Sequence, residues 1–180
     1  MTATSESIGD LKKWVQELAR KGEEGEIVRL NRAVELISKN FDVHMHEVAI
    51  LGLTSDERSL RFLAPDNLRQ IGEIPLSGAT SLAARTARDR RAEIINHFSI
   101  VPHASVFEAV RISEQLRGAP IQKIMSSPIL LGGRVIGVVQ VSRKAATAAE
   151  AGPDFTTAEL RELKTICDAL APCILFCSHQ

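Results

Sequence analysis

The chain has 180 residues, 44% of them hydrophobic, with 22 basic and 22 acidic side chains and no formal net charge at pH 7. That length suits one compact domain with a terminal extension, burying about two-thirds of the surface the unfolded chain would expose. Zero net charge supplies no global field to draw in nucleic acid or an anionic membrane, so neither is an expected partner.

The opening MTATSESIGD lacks the basic segment and apolar core of a signal peptide, and no run reaches the roughly 20 apolar residues of a membrane span. The expected location is the cytoplasm. Leu11, Trp14, Val15 and Leu18 have helical spacing, and Gly22 to Gly25 interrupts them. Residues 1–24 therefore read as a helical extension and residues 25–178 as the domain. In a second helix Ile27, Leu30, Val34, Ile37 and Phe41 step by three and four. This stripe fits a seam between helices of two subunits or an amphipathic core helix.

His44 to Leu53 is strongly apolar, a turn follows at Thr54 to Arg58, and Ser59 to Leu63 completes an antiparallel hairpin closed by Pro65-Asp66-Asn67. Ile71 to Leu76 predicts a short strand. Ser77 to Thr80 then offers caps for an alanine-rich helix from Ser81 to about Asp89, and Ala92 to Asn96 is another short strand. His97 to Ala104 has no regular period, whereas Ser105 to Leu116 carries Val106, Phe107, Val110, Ile112 and Leu116 at helical intervals.

Ile121 to Lys144, IQKIMSSPILLGGRVIGVVQVSRK, holds two apolar runs hinged on Gly132-Gly133. Such a pair supplies the positive φ angles of a tight hairpin turn. Val135, Ile136, Val138, Val139 and Val141 point to both faces of their strand, so both faces must be covered and this hairpin lies inside the sheet. Pro128 removes a ladder donor and implies a bulge or an unpaired position. Ala145 to Asp154 is an exposed loop, and Thr156 with Glu159 forms a capping box for a closing helix striped by Leu160, Leu163, Cys167, Leu170, Ile174 and Cys177. Pro172 predicts a kink near Asp168.

This order of elements resembles the GAF domain, a relative of the PAS fold. SLAARTARDRRAEIIN is similar to the family's helix and the strand leading to its binding loop, the glycine-hinged hairpin to its last two strands, and FTTAELRELKTICDALAPCI to its closing helix. The resemblance runs from about Glu26 to Phe176. It implies an α/β (α+β) fold: an antiparallel sheet of five or six strands, N- and C-terminal helices packed on one face, and a helix/loop layer on the other. It also implies a small-molecule pocket under the irregular segment and a homodimer joined through the terminal helices, with Leu30, Val34, Ile37, Leu163 and Leu170 at the interface. The chain departs from the specialised subfamilies. It has no Asn-Lys-x-x-x-Phe-x-x-x-Asp-Glu signature of cyclic-nucleotide binders, no cysteine near the pocket for a bilin, and no central cysteines like those of the free methionine sulfoxide reductases.

The expected function is a stand-alone sensory domain in signal transduction, read by a second copy or a signalling protein partner. The alternative is a ligand-free dimerisation scaffold whose pocket fills itself. The candidate ligand-binding residues are Asn96, His97, Phe98, Val101, His103 and Phe107, which mix polar groups with apolar wall, together with Ser126 and Ser127. No cofactor is specified by the residues, so that assignment stays open. Arg85, Arg88, Arg90 and Arg91 gather at a helix end, where cations oppose the macrodipole without any ligand. His44 and His46 fall on one side of an expected strand, and a metal there would need a third ligand such as His97 or His103, so no metal site is expected. Cys167, Cys173 and Cys177 read as buried apolar packing. With no phosphate loop, Gly-x-Ser-x-Gly elbow or Cys-x-x-Cys pair, the chain is expected not to be an enzyme.

Overall fold

The computed structural model describes residues 13, 26–78, 80–98 and 119–177. In chain order they form helix α1 (Glu26–Asn40), strands β1 (Val48–Leu53), β2 (Ser59–Ala64) and β3 (Glu73–Pro75), helix α2 (Leu82–Asp89), strands β4 (Glu93–Ile95), β5 (Ile121–Leu131) and β6 (Arg134–Lys144), and helix α3 (Thr157–Cys177). The six strands make one antiparallel sheet in the order β3-β2-β1-β6-β5-β4. The helix expected over Ser105 to Leu116 lies outside the described residues, as does the amino-terminal extension apart from Lys13, which is helical and exposed.

The glycine-hinged hairpin forms as its residues dictate. Gly132 and Gly133 take φ of 56° and 80°, and β5 pairs with β6 from Ile121 opposite Lys144 to Leu131 opposite Arg134. The irregularity expected near Pro128 falls just after it, as a register shift between Ile129 and Leu130. On its other edge β6 pairs with β1, so it runs through the middle of the sheet. Val139 and Val141 pack with Ile50, Met125 and Ile129 beneath α1 and α3. Val138 packs with Leu51, Leu60 and the alanines of α2 on the opposite face.

The two terminal helices share one face, and their stripes are buried there. Leu30, Val34 and Ile37 of α1 and Leu163 and Leu170 of α3 are each no more than 3% exposed, enclosed by the chain's own sheet in one cluster with Phe41, Ile166 and Ile174. This corrects the expected dimer seam: these five residues build the monomer core and leave no surface for a second subunit. The stripe is that of an amphipathic core helix.

Helix α3 starts at the expected capping box. The Glu159 N–H donates to Thr156 Oγ1 at 3.2 Å, and the Thr156 N–H donates to Glu159 Oε2 at 2.7 Å. Buried Phe155 just before the cap and Leu160 one turn in join the same cluster, stapling the helix start to the core. The helix continues through Pro172, which is exposed. Helix α2 is capped by Ser81, whose hydroxyl accepts from Ala84 N–H at 3.3 Å.

Gly137 permits the close approach of β1 and β6. A Cβ built on it would lie 2.4 Å from the Leu51 carbonyl oxygen, a backbone atom that cannot swing aside. Gly137→Ala is expected to lower stability by about 2 kcal/mol, measured as a lower denaturation midpoint in urea at unchanged slope.

Candidate functional site

A strand that passes between two covered faces must satisfy its polar side chains inside the protein. On the α2 side, strand alternation aligns Glu93 of β4, Ser126 of β5, Gln140 of β6 and Ala49 of β1 as direct cross-strand neighbours. Thr86 reaches down from α2, and its Oγ1 lies 2.7 Å from Ser126 Oγ. Gln140 Nε2 donates to the same Ser126 oxygen at 3.3 Å. Thr86 and Ser126 are fully buried and Gln140 is 3% exposed. Gln140 Oε1 is buried without a hydrogen-bond partner among the described residues. Leu82, Phe98 and Ile124 form an apolar cluster on the same side. Arg85 and Glu93 flank the row as a two-point ion pair, with Nε–Oε1 at 2.8 Å and Nη2–Oε2 at 3.1 Å.

Of the predicted ligand residues, Ser126 stands in this row and Phe98 packs beside it on Leu82 and Ile124. Ser127 does not. The pleat turns it to the opposite face with Met125 and Ile129, opposite Val139, and the expectation that both serines border one cavity is corrected by that alternation. Asn96 is corrected too. Its Nδ2 donates to the Phe155 carbonyl at 3.1 Å, and its Oδ1 accepts from the Phe155 N–H at 2.9 Å. Both halves of the amide are thereby committed to the start of α3. His97 is exposed. Val101, His103 and Phe107 lie outside the described residues.

Thr86 and Gln140 were not singled out by sequence reasoning, although a glutamine inside a run of valines and a threonine inside an alanine-rich helix are both departures from their surroundings. Three of the four clustered arginines have partners within the protein. Arg85 pairs with Glu93, Arg88 donates to the Leu76 and Gly78 carbonyls, and Arg90 to that of Gly133.

The terminal-helix side carries its own polar node. Arg143 lies 4.6 Å from the centre of the Phe155 ring, donates to the Phe41 and Asp42 carbonyls at 3.2 and 3.3 Å, and sits 3.6 Å from Glu159. Buried Lys123 donates to the Gly152 carbonyl at 2.6 Å and pairs with Asp154 at 2.8 Å. These groups tie the loop before α3 to the sheet and to the end of α1.

His44 and His46 do not open a strand. His44 precedes a 3-10 turn over Met45–Glu47 and His46 lies within it, and their rings stack with centroids 5.2 Å apart and planes 9° apart. Face-to-face stacking does not converge their nitrogens on one point, and no group of three or more His, Cys, Asp or Glu placed to hold a metal occurs among the described residues. Cys167 and Cys173 are buried, as expected. Burial pushes the Cys167 thiol up to about 12 and raises that of Cys173, so neither supplies a thiolate at neutral pH.

A family profile described as GAF domain matches residues 28–174. Solved structures of the same fold include the GAF domain of an Acinetobacter phosphoenolpyruvate-protein phosphotransferase, with a TM-score of 0.69 and 15% identity over 98% of this chain and 95% of that one. A methyl-accepting chemotaxis protein fragment superposes with a TM-score of 0.67 and 19% identity over 92% and 95% of the two chains. The free methionine-R-sulfoxide reductase of Neisseria meningitidis, in complex with its substrate, does so at 0.64 and 12% over 97% and 93%. No curated protein matches the sequence. The last neighbour corrects the expectation that the chain is not an enzyme: this fold also carries catalysis, and the lack of recognisable sequence motifs does not exclude it. Among the described residues no helix is long and apolar enough to cross a membrane.

One titration follows from the 3-10 turn. Partial desolvation, with Lys144 adding repulsion, holds the imidazole of the largely exposed His46 below its usual 6.5. The unfolded chain then binds more protons than the folded one as pH falls below 6.5. This contribution to stability is present above that value and is lost as pH drops through the folded value. Lowering pH from about 8 to about 5 is expected to reduce the denaturation midpoint of the wild type more than that of His46→Gln.

Proposed function

The chain belongs to the GAF domain family, whose members are generally sensory or regulatory small-molecule binders, and on that premise we propose that it binds a small molecule on the α2 side of its sheet and transmits binding to α3. The observation that carries this reading is the buried polar row of Thr86, Ser126 and Gln140, set beside an apolar cluster on the face away from the terminal helices. A binding site needs this combination of apolar wall and a few placed polar groups.

Transmission has a physical route. Strand β4 is three residues long, and its neighbours on either side of the pleat serve different faces. Glu93 lies in the row and Ile95 packs with Phe98, whereas Ile94 joins the core under the helices and Asn96 holds Phe155. A ligand that prefers one position of β4 shifts Phe155 and the first turn of α3 by the difference in its affinity for the two positions. A second copy or a signalling partner reads that shift on the outward faces of the terminal helices, where Val28 is exposed.

The second reading is a ligand-free scaffold, favoured by the packing of Phe98 on Leu82 and Ile124. Native mass spectrometry of freshly purified protein, followed by thermal shift against a metabolite panel, decides between them. A retained small molecule, or a shift of several degrees with about 2.7 kcal/mol of stabilisation at a hundredfold excess over Kd, is expected of the sensory domain. A bare mass and no response would establish the scaffold. The same spectrum reports whether the chain associates.

The β4 route is tested separately. Asn96→Ala is expected to cost about 2 kcal/mol of stability and to speed amide exchange at Phe155 to Leu160 while a ligand is still bound. Unaltered exchange there, with ligand-dependent protection of α3 intact, would show that the signal does not pass through Asn96.

A further inference from the structure

Building on the sensory reading above, we infer that the α2 side of the sheet takes an uncharged ligand that offers an N–H or O–H donor to Gln140 Oε1 and an apolar body to Phe98, Leu82 and Ile124. The amide of Gln140 has one satisfied end and one open end. Its Nε2 donates to Ser126, whose hydroxyl is shared with Thr86, so that end has a partner within the protein. Its Oε1 is buried and has no partner among the described residues, and an acceptor left so costs about 1–3 kcal/mol. A guest with a donor removes that cost, and a guest with only acceptors leaves it in place.

Charge is disfavoured by what surrounds the row. Arg85 and Glu93 neutralise each other's charge through two hydrogen bonds. Further along β6, Ser142 donates to the Glu47 carbonyl, and the Glu47 carboxylate accepts from the backbone N–H groups of His44 and Lys144. The charges described in and beside the row are already partnered, so an ionic ligand there would lose its hydration with little to replace it. The cross-strand neighbour Ala49 and the α2 residues Ala83 and Ala87 on the same side are short and apolar, which suits the body of a compact neutral molecule.

The test uses three probes with one branched carbon body and different heads: isobutyramide, isobutyrate and isobutylammonium. Each is titrated into the isotopically labelled full chain after removal of any retained molecule, and the amide spectra of Ser126, Gln140 and the Gln140 side chain are followed. Isobutyramide is expected to shift these signals saturably and to bind at least about tenfold more tightly than either ion, a difference of about 1.4 kcal/mol. Gln140→Leu, folded by circular dichroism, should lose that preference, and Gln140→Glu should transfer it to isobutylammonium. Tighter binding of either ion by the wild type at these signals overturns the ligand class while leaving a small-molecule site in place. Silence from isobutyramide also overturns it, and the native mass spectrum then decides independently whether the sensory reading falls as well.

Discussion

The whole arrangement depends on β6 being buried on both faces. It runs between β1 and β5, and Val138, Val139 and Val141 are fully enclosed. In such a strand no polar side chain can turn to water, so each is forced to find a partner in another element. Gln140 reaches Ser126, Ser142 reaches the carbonyl of Glu47, and Arg143 reaches the end of α1 and the ring of Phe155. Three polar residues of one strand thereby fix the row under α2, the turn before β1, and the junction of the two terminal helices.

The sheet's two faces are closed in different ways, and the difference separates structure from proposed function. Under α1 and α3 the core consists of large branched and aromatic side chains from both helices and four strands. Burial of this kind is worth about 1.5–3 kcal/mol per large side chain, and it makes that face the stable platform. The opposite face is covered by the eight-residue α2, whose buried positions include three alanines, and carries polar groups in its interior. That face also buries Leu51, Leu60, Phe62 and Ile74, but next to α2 it is lined by small and polar groups, which contribute less to stability. It is where the proposed guest would supply a contact that the described residues do not, at Gln140 Oε1.

The fold was legible because its strongest signals are local. A glycine pair between valine-rich runs, a threonine and glutamate three residues apart, and an alanine-rich helix after a serine cap each specify a backbone conformation within a few residues. The site was less legible, because sequence adjacency hides the pleat. Ser126 and Ser127 are neighbours in the chain and lie on opposite faces of the sheet, while Ser126 and Gln140 are 14 residues apart and in contact. Asn96 looked like a pocket residue through its place before an irregular segment, yet its amide is spent on Phe155, 59 residues away. The helix stripes pointed equally to a subunit seam and to a core. Only the position of the sheet against Leu30, Val34 and Ile37 decides for the core.

Strand β4 is where the two faces meet most cheaply. It lies at the sheet edge and pairs with β5 over three residues only, Glu93 to Ile95, so displacing it breaks fewer ladder bonds than moving any central strand. Elements of this kind, short and paired on one side, occupy the low end of a protein's range of local stability. Because side chains alternate, the same small segment touches the polar row through Glu93 and the start of α3 through Asn96. In the proposed mechanism a rotation of this edge that favours a guest on one side would reach Phe155 on the other, and Phe155 is held in turn by Arg143 from the centre of the sheet. The proposed coupling requires no long pathway: it would follow from period-two alternation at an edge strand whose ends are anchored to different layers.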